Sequence, residues 1–241
     1  EDYFATPEPL GKKMVEWAQS KPGTRTLEPS IGHGAIGRWF GGTTRNRALE
    51  PSYKLFSLAQ MNFAGEVIND RFESLNIINK FESIVMNPPF GKGGKLAYDH
   101  IQKAIGHLTN GGRIVALVPD GPAANKRLDK LLVDEKYKNI YQAAEVDLPQ
   151  GVFERAGTGV KTKIIILDRF DDSSDAPQQQ NLSFTGVKDV KELFDRIKGV
   201  DLRKRNEPTA KEIDPSKYMT DGRNSASGFP VKLHGFVSDS I

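Results

Sequence analysis

Short apolar, β-branched runs alternate with stretches whose apolar residues recur at helical spacing over the first 170 residues. The strand-like runs fall at 24–28, 47–50, 66–70, 83–87, 113–119, 143–148 and 163–168, and helical patterns fit 8–20, 52–63, 96–108 and 123–134. Strand–helix alternation predicts an α/β fold, a mostly parallel seven-stranded sheet with helices on both faces. The last two runs are separated by a segment containing Gly157-Thr158-Gly159 that is too short for a helical crossover. This pair is therefore predicted to be antiparallel.

The pattern changes after Phe170. Asp171-Asp172-Ser173-Ser174-Asp175, Pro177 and three glutamines read as a solvated linker over 171–180. A strand-like piece at 182–184 and a helical pattern at 187–197 follow, and beyond Arg203-Lys204-Arg205 the chain is polar and punctuated by Gly, Ser and Pro. The organisation expected is a domain over 1–170, a linker over 171–180 and an extension over 181–241 without a core of its own. No internal repeat is visible.

Composition narrows the function classes. The 241 residues carry a formal net charge of +3, with 34 basic residues nearly matched by 31 acidic ones. That balance permits nucleic-acid binding without arguing for it. With no cysteine, disulfides and thiolate-held zinc are excluded, and a reducing cytoplasmic setting is expected. The four histidines (His33, His100, His107 and His234) are scattered, so no metal site is expected. No apolar stretch reaches membrane-spanning length, and no signal peptide is visible. The chain opens on Glu1, which fits a piece excised from something longer.

The chemistry concentrates where strands end. Asn87-Pro88-Pro89-Phe90 closes the apolar run Ile84-Val85-Met86. Each proline fixes φ near −65° and removes a donor, and each biases the preceding residue away from helix. The tetrapeptide thus presents one amide, stiff carbonyls and an aromatic face, the parts needed to hold a flat group bearing –NH2. After the first run comes Glu28-Pro29-Ser30-Ile31-Gly32-His33-Gly34-Ala35-Ile36-Gly37. Glycines after a strand allow close backbone approach of a ligand. Gly32-x-Gly34-x-x-Gly37 with Glu50 beyond it also fits a dinucleotide fingerprint, which keeps a nicotinamide-dependent oxidoreductase open. The carboxylate and proline before the glycines, and the lack of a hydride-transfer site, count against it. Glu28, Glu50, Asp70 and Asn87 end four consecutive strand-like runs, a polar row along the edge where open α/β sheets bind ligands.

In this order the motifs resemble those of N6-adenine DNA methyltransferases that use S-adenosylmethionine, over roughly residues 3–170. Tyr3-Phe4-Ala5-Thr6-Pro7 matches the family's leading Thr-Pro, Glu28 to Gly34 its acidic-Pro-x-x-Gly-x-Gly loop, and Asn87 to Phe90 its catalytic turn. Thr-Pro first and catalytic turn last is the gamma-type order. Asn110-Gly111-Gly112, Leu148 to Phe153 and Thr158 to Thr162 look like modification subunits of type I restriction systems. The resemblance implies a Rossmann-like class I methyltransferase fold. It also implies that Thr6 and Pro7 help hold the methionine carboxylate, and that Glu28 and the loop Pro29, Ser30, Gly32, Gly34 bind the methionine portion. Glu50 would take the ribose hydroxyls and Asp70 the adenine amino group. Phe72 would pack on that adenine or serve as core.

The activity so implied is methyl transfer to N6 of a flipped adenine, with Asn87, Pro88, Pro89 and Phe90 catalytic and DNA the partner. Lys92 and Lys95, in Gly91-Lys92-Gly93-Gly94-Lys95, are candidate phosphate contacts, or else part of a solvated loop. Lys126, Arg127, Lys130, Lys136 and Lys138 form either a backbone-tracking patch or a solvated face. An RNA or protein N-methyltransferase of the same fold stays open, as does a non-catalytic binding module. Only about seventy residues follow the linker, so target recognition is expected from a separate domain or subunit.

Overall fold

The computed structural model describes residues 5–42, 45–76, 81–149, 160–170, 180–184, 187 and 189–205. Tyr3-Phe4, the segment 150–159, most of the expected linker and the tail from 206 onward lie outside the described residues.

Eight strands form one sheet in the order β3-β2-β1-β4-β5-β7-β6-β8. They are β1 (Thr26–Glu28), β2 (Arg47–Leu49), β3 (Glu66–Ile68), β4 (Phe81–Met86), β5 (Leu108–Pro119), β6 (Ile140–Asp147), β7 (Thr162–Arg169) and β8 (Gln180–Ser183). Every pairing is parallel except the two made by β7, with β5 and with β6. The expected antiparallel pair is β6 with β7.

The strand count departs from expectation by one. β8 comes from beyond the polar linker, and pairs in parallel with β6 from Ala144↔Gln180 to Asp147↔Ser183. Its apolar content is slight, but Phe184 just after it is buried in the core. A four-residue edge strand needs only one face packed, so its sequence signal is weak.

Period-two alternation along the central strands divides the core. Val85, Val115, Leu117, Ile164 and Ile166 face α1 (Glu8–Ala18) and α5 (Val190–Ile197). Ile84, Met86, Ile114, Ala116, Ile165 and Leu167 face α3 (Lys95–His107) and α4 (Pro122–Leu132). Helix α2 (Tyr53–Asn62) buries only Ala59 and leaves Tyr53 and Met61 largely exposed.

Helix α1 is fixed at both ends. Pro7 caps it, Glu8 opposes the dipole in its first turn, and Gln19 closes it at φ 54°. The chain after α5 then folds back along it. Lys13 Nζ donates to the Lys198 carbonyl (3.2 Å), Trp17 Nε1 to Val200 (3.0 Å) and Gln19 Nε2 to Arg203 (3.2 Å). Helix α5 itself starts on Asp189, whose Oδ1 accepts from the Glu192 N–H at 2.8 Å.

A buried ion pair ties α1 to the sheet. Arg113 and Asp168, 1% and 2% exposed, meet through two 2.7 Å bonds across β5 and β7. Arg113 Nη1 also donates to the Trp17 carbonyl (3.1 Å), and the Tyr141 hydroxyl to Asp168 Oδ2 (3.2 Å). Breaking such a pair from one side leaves an uncompensated buried charge. Arg113→Met is expected to lower the unfolding free energy by about 3–5 kcal/mol, read from denaturant titration. A loss indistinguishable from zero would mean that water reaches Asp168.

Candidate active site

Strand β1 lies between β2 and β4, so the chain runs outward to β3 on one side and to β5 on the other. Loops diverge at such a switch point and leave a crevice at the carboxyl edge. Glu28 ends β1, Glu50 follows β2, Asp70 lies two residues past β3 and Asn87 follows β4. The four strand-end residues read from the sequence are therefore all at this edge.

Asn87 is joined to the chain's beginning. Its Nδ2 donates to Thr6 Oγ1 at 3.1 Å, with Thr6 buried at the foot of α1. With one N–H of the amide held by Thr6, the acceptor oxygen lies on the other side of the group. Pro88 is buried, whereas Pro89 and Phe90 are half-buried, and Phe90 packs beside the α1-side core. The sequence named Thr6 and Asn87 separately, and nothing in their spacing foretold the bond.

Glu50 organises the glycine loop. Its Oε2 accepts from the Gly32 N–H (3.0 Å) and its Oε1 from the Ser52 N–H (2.8 Å). Ile31 N–H reaches the Leu49 carbonyl (3.0 Å), so the loop is stitched to the end of β2. Gly32 and Gly34 adopt φ of 59° and 95°, which side chains disfavour. Asn69, unremarked in the sequence, donates from Nδ2 to the Glu50 carbonyl at 2.8 Å and joins the ends of β2 and β3.

Glu28 is 1% exposed, and its Oε2 is buried without a hydrogen-bond partner. Burial holds its carboxyl well above the usual carboxylate range, the Gly37 N–H offsets part of this, and the charge of Glu50 adds to it. Pro29 and Ser30 continue from it into the loop. Asp70 is the opposite case, exposed to solvent. The neighbouring Ser74 hydroxyl and Arg71 N–H hold its carboxyl below the ordinary range.

Phe72, which the sequence left between the cofactor adenine and the core, is buried against α3. It is 2% exposed, and its ring meets His100 edge-on at 5.4 Å and His107 at 5.9 Å, with Lys103 Nζ over it at 5.5 Å. These three contacts all come from α3, and the ring belongs to the α3-side core. His100 in turn bonds Glu73 Oε1 at 3.0 Å. Among the described residues no group of three or more histidines and carboxylates gathers as metal ligands do.

The glycine-rich stretch after Asn87–Phe90 is a 3-10 turn, Lys92–Gly94. It is fastened to α4 by Arg127 Nε, which donates to the Gly93 carbonyl at 3.1 Å. Lys92 is exposed. Lys95 forms an exposed ion pair with Asp99 at 2.6 Å.

This architecture, a Rossmann-like sheet with one reversed strand and helices on both faces, is the class I methyltransferase fold. No protein-family model matches the chain, and no curated protein does. Solved structures do. A protein from Listeria monocytogenes assigned to the class I S-adenosylmethionine-dependent methyltransferases superposes with a TM-score of 0.62 at 14% identity, covering 81% of this chain and 71% of that one. The M protein of the type I restriction enzyme EcoKI gives 0.58 at 20% identity over 80% of this chain. The chain spans 51% of that subunit's length. A Pyrococcus horikoshii protein assigned as an RNA methyltransferase gives 0.54 at 13% identity, over 70% and 89% of the two chains.

The buried Glu28 carboxyl makes a testable pH dependence. Its pKa is raised in the folded protein, so the folded state binds a proton that the unfolded state has released. This contribution to stability is complete below the ordinary glutamate pKa and is lost as pH rises through the raised folded value. Thermal unfolding of the ligand-free protein should show that decline, and Glu28→Gln should flatten it. An unchanged pH profile in the variant would mean that Glu28 is already ionised.

Proposed function

We propose that this chain is the catalytic domain of an S-adenosylmethionine-dependent methyltransferase acting on the N6 amino group of adenine in DNA. The observation that carries this reading is the Asn87–Thr6 hydrogen bond. It joins the two ends of the gamma-type motif order in one place and holds one N–H of the Asn87 amide on Thr6, which orients the Oδ1 acceptor.

The cofactor fits the residues present. A buried carboxylate oxygen without a partner, beside a loop of left-handed glycines, suits a ligand carrying positive charge, as the methionine portion does. A dinucleotide pyrophosphate would instead meet the Glu50 carboxylate that braces this loop. That repulsion weighs against the oxidoreductase reading. Glu28 would hold the ammonium group, Thr6 and Pro7 the carboxylate end, Glu50 the ribose hydroxyls and Asp70 the adenine amino group. Bound S-adenosylmethionine supplies an electrophilic methyl on a positively charged sulfur.

The chain's own residues supply position. A base stacked in a duplex cannot enter this edge, so the adenine must be flipped out at a cost of about a few kcal/mol. Stacking on Phe90 recovers about 1–3 kcal/mol of it. Asn87 Oδ1 and the Pro88 carbonyl accept from the two N6 hydrogens, which drives the nitrogen toward a pyramidal shape and frees its lone pair. Positioning of this kind supplies about 7–11 kcal/mol of a barrier. Lys92 reaches solvent beside the turn and is placed to meet phosphate, while Lys95 would have to leave Asp99 first. Sequence selection is assigned to a further domain or subunit, in keeping with the chain's half-length match to the EcoKI M protein.

Incubation with S-adenosylmethionine and unmethylated DNA, followed by digestion and mass spectrometry of nucleosides, should yield N6-methyladenine. Asn87→Ala should abolish the product while cofactor affinity is retained. Modified nucleosides from RNA alone would replace DNA as the substrate. Thr6→Val should lower the methylation rate by roughly two- to tenfold, the worth of one orienting hydrogen bond. An unaltered rate would show that Asn87 needs no anchor.

A further inference from the structure

Gly37 is the third glycine of Gly32-x-Gly34-x-x-Gly37, yet its backbone gives no reason for glycine. Gly32 and Gly34 lie in the left-handed region, and Gly37 does not. It opens the short 3-10 turn Gly37–Trp39 in a conformation that other residues adopt. The reason is space. A Cβ at position 37 would stand 2.6 Å from Glu28 Oε2, 2.7 Å from Phe63 Cδ2 and 3.1 Å from Ile31 Cδ1.

None of these neighbours is free to withdraw. Ile31 and Phe63 are buried in the α1-side core, and Phe40 holds the Phe63 ring edge-on at 5.7 Å. Close-packed interiors yield little to an added methyl group. Glu28 is enclosed by the same residues and takes a hydrogen bond from the Gly37 N–H. The carboxylate therefore sits in a slot with two apolar walls, and its third side is the hydrogen atom that glycine carries in place of a side chain.

We propose that Gly37 is a positioning residue for the Glu28 carboxylate, its missing side chain forming the slot that fixes this group for the cofactor. The proposal rests on the cofactor reading above and adds to it a steric determinant outside the ligand's own contacts. Any residue larger than glycine collides with the Glu28 carboxyl as well as with the Phe63 ring, and a shorter acid at position 28 removes the first collision and leaves the second.

The test is a double-mutant cycle of Gly37→Ala and Glu28→Asp, with S-adenosylmethionine affinity read by calorimetry and melting temperature read in parallel. Gly37→Ala is expected to weaken binding about tenfold in the wild-type background and far less in the Glu28→Asp background. Melting temperature should show a partial non-additivity, because the collision with Glu28 exists without ligand while the one with Phe63 remains in both backgrounds. Additive losses in both readouts would overturn the proposal, showing that the alanine disturbs the loop without acting through Glu28. Wild-type affinity in Gly37→Ala would overturn it as well. A wild-type protein that does not bind S-adenosylmethionine would instead sink the cofactor reading. The coupling in melting temperature would then decide the slot alone.

Discussion

The placement of β1 governs the site. A strand of three residues is held between β2 and β4, and the chain departs from it in opposite directions. Loops on the two sides cannot cover one another, so the carboxyl edge stays open there. Polar side chains that would otherwise be scattered strand ends become neighbours along one crevice. Glu28 comes from the strand itself, the glycine loop from its end, and Asn87 from the adjacent strand. The same constraint makes the loop's backbone expensive, since its donors leave the sheet unpaired. Glu50 answers for one of them by accepting from Gly32, and its other oxygen takes the Ser52 N–H at the start of α2.

The acidic residues of the crevice illustrate how burial sorts identical chemistry. Glu50 is buried but bonded by backbone donors, Asp70 is exposed and stabilised as an anion, and Glu28 is buried with an unpartnered oxygen. An unsatisfied buried carboxylate is costly for a fold to keep. Such a cost is characteristic of positions that serve a ligand and not the core. Glu28 can stay only because its surroundings leave it nowhere else to go, which is where Phe63, Ile31 and the bare Gly37 enter.

The fold was legible in the sequence because its strands are buried on both faces and its helices are not. Continuous apolar runs marked β4, β5 and β7, and the prolines after Met86 announced where β4 stops. The strand ends that carry chemistry were legible for the same reason, since a carboxylate or amide interrupts each run. β8 was the weak case: at the sheet edge its pairing comes mostly from backbone, which no side chain advertises. Phe72 was ambiguous because an aromatic after a strand-end acid looks alike whether it faces a ligand or α3. The Asn87–Thr6 bond joins residues 81 apart, and no periodicity encodes a contact of that separation.

The chain beyond the linker bears on the site through α1. Lys13, Trp17 and Gln19 hold carbonyls of residues 198, 200 and 203, and the Arg205 N–H returns to Gln19 Oε1 at 3.0 Å. Arg113 fixes the Trp17 carbonyl from the sheet side. Helix α1 is thus gripped along its C-terminal half by groups far apart in sequence, while its N-terminal end presents Thr6 to Asn87. Helix α1 is eleven residues long, and Thr6 lies just before its N-cap, Pro7. The segment that follows α5 is therefore bound to the same helix whose other end lies beside Thr6. An appendage by composition is thus, through its hydrogen bonds to α1, part of the packed domain.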